Sequence, residues 1–316
     1  ISEALRLGAD NNFGYDYMKD FEARFVEKSR NPVSTNWHEI DKITKGGLGT
    51  GELCVVVAPT GAGKSHVLVH LGAQALKQGK NGVHFTLELA DSSVAQRYDA
   101  CLTNVNLDNL KEEKDLIYEK IKEIDGQLII KEYPTKSAST TTLKNHLEKI
   151  RQTQMEIDMV IVDYGDLLRS TTTKRNSEKR HELESIYEEL RGMAQEFECP
   201  IVTASQTNRS GLNAEVITME SISEAFNKCF VADLIISLSR TIKDRNCNIG
   251  RIFVAKNRNG PDGIIYSVFM DTGTVTIKVL EQEDVEKIQN NEQKKKNQED
   301  MTMARKVYKL MKEAQT

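Results

Sequence analysis

The sequence predicts an α/β protein with a mostly parallel, twisted sheet covered by helices on both faces. Three observations lead there: apolar runs without strict alternation, helix-like segments between them, and a glycine-rich turn joining the first run to the first long helix. Ahead of that alternation, residues 1–31 are polar and charged. Phe13, Tyr15, Tyr17, Met18, Phe21 and Phe25 are spaced there for a short amphipathic helix, which needs a surface to lie on. Pro32 ends this segment, and the main domain, residues 32–280, takes shape from about Ser34. Strands are expected at Leu53–Ala58, Gly82–Leu87, Leu128–Lys131, Met159–Val162, Ile201–Ala204, Leu234–Leu238, Arg251–Ala255 and Ile264–Met270. Helices are expected at Lys64–Lys77, Ser92–Thr103, Leu110–Ile124, Thr141–Gln154 and His181–Phe197. In the last of these, Leu183, Ile186, Tyr187, Leu190, Met193, Ala194 and Phe197 share one face. Residues 281–316 are charge-dense, with Lys294, Lys295 and Lys296 among Gln and Asn, and read as an exposed tail, helical near Met303–Met311.

The glycine-rich turn is Ala58-Pro59-Thr60-Gly61-Ala62-Gly63-Lys64-Ser65, set where a strand ends and a helix begins, as a cradle for nucleotide phosphates requires. Gly61 and Gly63 let main-chain N–H groups converge on an anion, Lys64 reaches the terminal phosphates as a point charge, and the Ser65 hydroxyl can ligate Mg²⁺. Ala58 replaces the glycine usual at the first position, where a small residue suffices. The expected ligands are ATP and Mg²⁺, contacted by residues 58–65 and by His66.

Such a cradle needs an acid for the Mg²⁺ shell, and Asp163 supplies it at the end of the run Met159-Val160-Ile161-Val162. The following residue, Tyr164, cannot act as a base near neutral pH. Glu88 fits that role, since it follows the strand Val83-His84-Phe85-Thr86-Leu87 and the carboxyl ends of parallel strands line the ligand crevice. Gln206 ends another strand and can orient water or sense the terminal phosphate.

Composition narrows the function classes. The 316 residues are 39% hydrophobic and 28% charged, enough for one large core plus appendages. A net charge of −4 gives no global footprint for nucleic acid, so local basic segments must carry any such role. Cys54, Cys101, Cys199, Cys229 and Cys247 lie singly, without a CxxC pair, and read as thiols of a reducing cytoplasm. No run of about 18 apolar residues is present, which argues against a membrane span. The chain starts at Ile1 without an initiator Met, which points to a piece of a longer protein with an N-terminal domain ahead of it.

With these pieces in order, the chain resembles the DnaB-type replicative helicases. The resemblance rests on Gly46-Gly47-Leu48, the phosphate loop, Phe85-Thr86-Leu87-Glu88-Leu89, Val160-Ile161-Val162-Asp163-Tyr164, Ala204-Ser205-Gln206-Thr207-Asn208-Arg209 and Lys256-Asn257-Arg258-Asn259-Gly260-Pro261, and covers residues 34–280. Residues 13–25 further resemble the linker of the T-even phage branch of that family. The resemblance implies a RecA-like phosphate-loop motor fold, a homo-hexameric ring moving 5′-to-3′ on single-stranded DNA to unwind forks, and a primase and a helicase loader as partners. It makes Glu88 the catalytic base, Asp163 the Mg²⁺ acid and Gln206 the coupling residue. Lys256 and Arg258 become cations offered to the neighbouring subunit's ATP. Period two on a strand end puts both on one side, and a trans arginine can contribute about 10³–10⁵ in rate. For a phage-encoded chain, the implied location is the cytoplasm of a bacterial host.

Two polar segments are candidates for DNA contact. The first runs from Arg169 to Arg180 and holds Lys174 and Arg175; the second runs from Asn208 to Lys228 and begins with Arg209. The family's common Arg-Glu-Ser-Gly is here Ser223-Glu224-Ala225-Phe226, with Asn227 and Lys228 as plausible substitutes for its contacts. Neither segment interleaves aromatic residues, so tracking of the backbone with little sequence preference is expected. Two other classes stay open: a RecA-type recombinase forming filaments, and a non-catalytic ATP-binding module.

Overall fold

The computed structural model describes residues 16–19, 21, 22, 30–170, 179–207, 216–218, 229–281 and 283–288. The chain divides into two units, Ile1–Asn31 and Pro32–Thr316. In the first, the described residues include a turn at 17–19, where Lys19 pairs with Asp16 at 3.4 Å. The rest of the segment expected as an amphipathic helix lies outside the described residues.

The second unit is built on one nine-stranded sheet in the order β3-β2-β4-β5-β1-β6-β7-β8-β9. Its strands are β1 Leu53–Ala58, β2 Gly82–Thr86, β3 Leu128–Glu132, β4 Met159–Asp163, β5 Ile201–Gln206, β6 Leu234–Ser239, β7 Ile249–Asn257, β8 Ile264–Asp271 and β9 Thr276–Val279. The strands from β3 across to β6 pair in parallel, and β7, β8 and β9 add an antiparallel edge. The helices are α1 His38–Ile43, α2 Lys64–Lys77, α3 Asp91–Thr103, α4 Lys114–Lys122, α5 Thr140–Gln152, α6 Lys179–Phe197 and α7 Ile242–Asn246.

At the centre of the sheet both faces are buried, which is why β1 reads as an unbroken apolar run. Leu53, Val55 and Val57 pack with Leu143 and Leu147 of α5 and with Ile186, Tyr187 and Leu190 of α6. Cys54, Val56 and Ala58 pack on the other side with Val67, Leu68 and Leu71 of α2. The face predicted on the last long helix is the buried one, with Leu183 partly covered at its margin.

The structure differs from the sequence reading in a few elements. The helix expected from Leu110 to Ile124 shrinks to α4, because a 3₁₀ turn at Leu107–Asn109, capped by the Asn106 side chain, takes up the chain ahead of it. Strand β9 went unpredicted: it has four residues, only Ile277 and Val279 among them apolar. It is fixed by pairing with β8 and by Trp37, whose ring N–H donates to the Ile277 carbonyl at 3.1 Å. Helices α1 and α7 were too short to give a period. Among the described residues, no helix is long and apolar enough to cross a membrane.

Candidate active site

Strands β2, β4, β5 and β1 are neighbours, and their carboxyl ends share one edge of the sheet. The register sets Thr86 beside Asp163 and Ala58 beside Gln206, so residues far apart in sequence converge above that edge. The phosphate loop leaves β1 there. Gly61 and Gly63 have φ of +72° and +109°, left-handed values that glycine reaches without strain, and Gly63 is also the N-cap of α2. A side chain on Gly63 would collide with Cε of Met270. No acidic residue lies in the first turn of α2, so its free N–H groups and dipole present an uncompensated positive end to an anion.

Lys64 opens α2 and is 9% exposed. Burial lowers its pKa, while Glu88, Asp163 and Asp166 act to raise it. Its ammonium sits 5.5 Å from the Tyr164 ring centre. Burial, with Arg97 and Arg240 adding to it, pushes His66 down to about 4, so its imidazole is neutral near pH 7. Arg245 of α7 flanks the loop: a side chain on Gly61 would meet its Nη2 at 3.9 Å.

Asp163 is 1% exposed, and neither carboxylate oxygen meets a hydrogen-bond donor among the described residues. Burial raises its pKa. Ser65 pulls it back, Glu88 raises it further, and Arg97 and Lys64 lower it. A buried carboxylate with both oxygens unengaged, facing the Ser65 side chain beside a phosphate cradle, fits a hard cation with oxygen ligands. The residues present therefore suit Mg²⁺, held by Ser65 and Asp163.

Glu88 follows β2 in a turn clamped on both sides. The Leu87 N–H donates to the Asp163 carbonyl at 2.8 Å, and the Leu89 N–H donates to Thr86 Oγ1 at 3.1 Å. The Glu88 side chain is exposed, yet its charge is felt at Lys64, Arg97 and Asp163. Gln206 closes the opposite side. Its amide Nε2 donates to Thr60 Oγ1 of the phosphate loop at 2.5 Å, and its Oε1 accepts from the Tyr164 hydroxyl at 3.3 Å. Asp166 fixes this corner, accepting from the Tyr187 hydroxyl at 2.7 Å and the Gln206 N–H at 3.2 Å. Burial, with Glu88 next, pushes the Tyr164 phenol up to about 12, so it stays protonated as a donor.

Lys256 and Arg258 lie elsewhere. Strand β7 runs antiparallel to β6, so its carboxyl end sits at the amino end of β6 and β1. Arg258 Nη1 pairs there with Asp233 Oδ1 at 3.2 Å, and Asp233 accepts the Leu53 N–H, at the start of β1, at 3.0 Å. The phosphate loop begins at the far end of that strand, roughly 16 Å away at the usual rise per residue. Lys256 reaches the same side, donating to the Phe230 carbonyl with its ammonium 4.5 Å from the Phe230 ring centre. Within one chain, then, the structure brings Lys64, Ser65, Glu88, Asp163 and Gln206 together and leaves Lys256 and Arg258 apart. Lys174, Arg175, Arg209, Ser223, Glu224, Asn227 and Lys228 lie outside the described residues.

Sequence reasoning missed Arg97, Asp166 and Arg245. Each joins the site through a contact between distant segments. Arg97 alone carried a usable signal, as the basic residue on the helix that follows Glu88.

Comparison with known proteins places this arrangement. A DnaB-like replicative helicase of Enterobacteria phage T4 is 32% identical over 255 residues, 76% of this chain and 53% of that protein. A solved structure of a DnaB-like replicative helicase, described with its interactions with primase, superposes with a TM-score of 0.71 at 18% identity, covering 89% of this chain and 70% of that one. A second solved structure, an ATPase domain, gives 0.68 at 18% identity, covering 89% of this chain and 99% of that one. The chain spans little more than half the length of the curated relatives it matches. The family model described as the DnaB-like helicase C-terminal domain matches residues 32–278, and the chain belongs to that family.

Proposed function

We propose that this chain is the ATP-hydrolysing motor of a replicative DNA helicase. It works as a homo-hexameric ring that moves 5′-to-3′ on single-stranded DNA and opens the duplex at a fork, in the cytoplasm of a bacterial host if the chain is phage-encoded. Primase and a helicase loader are its expected partners, and residues 1–31 its expected subunit-docking segment. The supporting observation is the split of the site. One end of the parallel sheet gathers Lys64, Ser65, Glu88 and Asp163, while Lys256 and Arg258 sit at the other end, beyond reach in the same chain. ATP bound between subunits brings the two ends together, one from each neighbour.

In this reading the phosphate loop and Lys64 bind the phosphates, and the Glu88 carboxylate accepts the proton of the attacking water. Mg²⁺, when bound by Ser65 and Asp163, neutralises phosphate charge. Gln206, tied to Thr60 and Tyr164, reports the state of the phosphates to β5 and to the segment that follows it. Arg258, with Lys256 beside it, meets the charge developing on the neighbour's transferred phosphoryl group. Lys174, Arg175, Arg209, Ser223, Glu224, Asn227 and Lys228 are assigned to the DNA backbone.

Two substitutions test the chemistry. Lys64→Ala should abolish nucleotide binding, whereas Glu88→Gln should bind nucleotide normally and lose hydrolysis by about 10²-fold or more. Near-normal turnover in Glu88→Gln removes Glu88 from the role of base.

A further inference from the structure

Asp233, at the amino end of β6, is 5% exposed, accepts three hydrogen bonds and forms one further ion pair. Its Oδ2 takes the Leu53 N–H at 3.0 Å and Arg191 Nε at 3.1 Å; its Oδ1 takes Arg191 Nη2 at 3.1 Å and forms an ion pair with Arg258 Nη1 at 3.2 Å. The partners differ in kind. Leu53 belongs to the buried centre of the sheet, and Arg191 comes from α6 as a planar fork that locks the carboxylate in one orientation. Arg258 joins them as an ion pair, and its side chain is 46% exposed.

A half-exposed ion pair adds little to folding stability, and the stitching of β1, β6 and α6 is already complete through Leu53 and Arg191. What this ion pair does is orient Arg258. The guanidinium is paired with the carboxylate through Nη1, and the Arg258 main-chain N–H donates to the Asp233 carbonyl at 2.9 Å, so the guanidinium donors stay available on the exposed side. Holding a long, mobile side chain near its working geometry before the reaction raises the rate without strengthening ground-state binding.

We propose that Asp233 is the positioning residue for Arg258: braced by Arg191 and by the start of β1, it presents the guanidinium toward the neighbouring subunit's nucleotide. This rests on the reading of Arg258 as a cation acting in trans. It requires Asp233 to serve the subunit that donates the arginine, not the subunit whose phosphate loop holds the ATP.

Mixed rings separate those subunits. Lys64→Ala and Arg258→Ala chains, each inactive alone, should together recover ATPase, because a ring containing both has interfaces that pair an intact phosphate loop with an intact arginine. The only arginines available in such rings come from the Lys64→Ala chain. Asp233→Asn added to that chain should lower the recovered kcat about tenfold, with KM for ATP little changed. Added instead to the Arg258→Ala chain, it should lower the recovered kcat by about twofold at most. Equal losses in the two placements, including the complete loss expected if the substitution merely unfolds its chain, overturn the positioning role and leave Asp233 as a stitch in the fold. Failure of the parent pair to recover any activity overturns the trans reading itself, and the inference with it.

Discussion

Replacing Asp163 by Asn should stabilise the chain when no nucleotide is present, and should remove its response to Mg²⁺. The carboxylate is 1% exposed, and among the described residues neither oxygen has a donor. Its pKa in the fold is raised, chiefly by burial. The sign follows from proton linkage. With the folded value above the unfolded one, this group's contribution to stability is fully present below the unfolded carboxylate value and is lost as pH rises through the folded value. The penalty is therefore borne in full only above the folded value. Leaving a buried acceptor of this kind unsatisfied costs on the order of 1–3 kcal/mol. In a domain of this size that corresponds to about 2–6 °C in Tm. Asn carries no charge and should recover most of this in the nucleotide-free protein. A ligand at a hundred times its Kd adds about 2.7 kcal/mol to the wild type, and the Mg²⁺-dependent part of that gain should vanish in the variant. The assay is thermal unfolding at pH 7.5, with and without Mg²⁺ and a non-hydrolysable ATP analogue. An unliganded variant that melts at or below the wild type, or one that Mg²⁺ and nucleotide stabilise as much as the wild type, refutes the reasoning.

Acid should destabilise the fold through its buried imidazoles. Burial lowers His70 to about 4 and His84 to about 3, from 6.5. Their contribution is present above pH 6.5 and is lost as pH falls toward those values, at about 2 kcal/mol each by pH 5. Trp37, the single tryptophan, stacks on His70 at 4.9 Å and reports unfolding by fluorescence. Urea titrations at pH 7.5 and pH 5 should differ by about 4 kcal/mol from this pair, and by about half as much in His84→Gln; an unaltered difference in that variant contradicts the assignment. If residues 1–31 dock on the adjacent subunit, a chain beginning at Pro32 should sediment as a folded, nucleotide-binding monomer, and oligomers that persist unchanged argue against docking.

The sheet was legible because burial on both faces leaves an unmistakable mark: a run such as Leu53–Ala58 has no polar residue to spare for solvent. The phosphate loop was legible because its chemistry is local, needing two glycines, a lysine and a hydroxyl within a few residues. Glu88, Asp163 and Gln206 could be found as the residues at or just beyond apolar strands, although their convergence depends on the order β2-β4-β5-β1, which no local pattern encodes. Asp166, Arg245 and the Asp233–Arg191 pair escaped notice because they act between segments distant in sequence, and a single charged residue on a helix or in a turn is what any solvated surface also shows. The Lys-x-Arg spacing was read as placing both cations on one side of a strand end. What spacing could not reveal was that this strand runs antiparallel and carries them away from their own phosphate loop.

The most direct test of the account is electron microscopy of the chain with ATP and forked DNA, paired with an unwinding assay on forks bearing either a 5′ or a 3′ single-stranded arm. The account predicts closed six-membered rings and ATP-dependent unwinding that requires the 5′ arm and is lost in Glu88→Gln. Open filaments on the DNA, or nucleotide binding with neither rings nor unwinding, would contradict it.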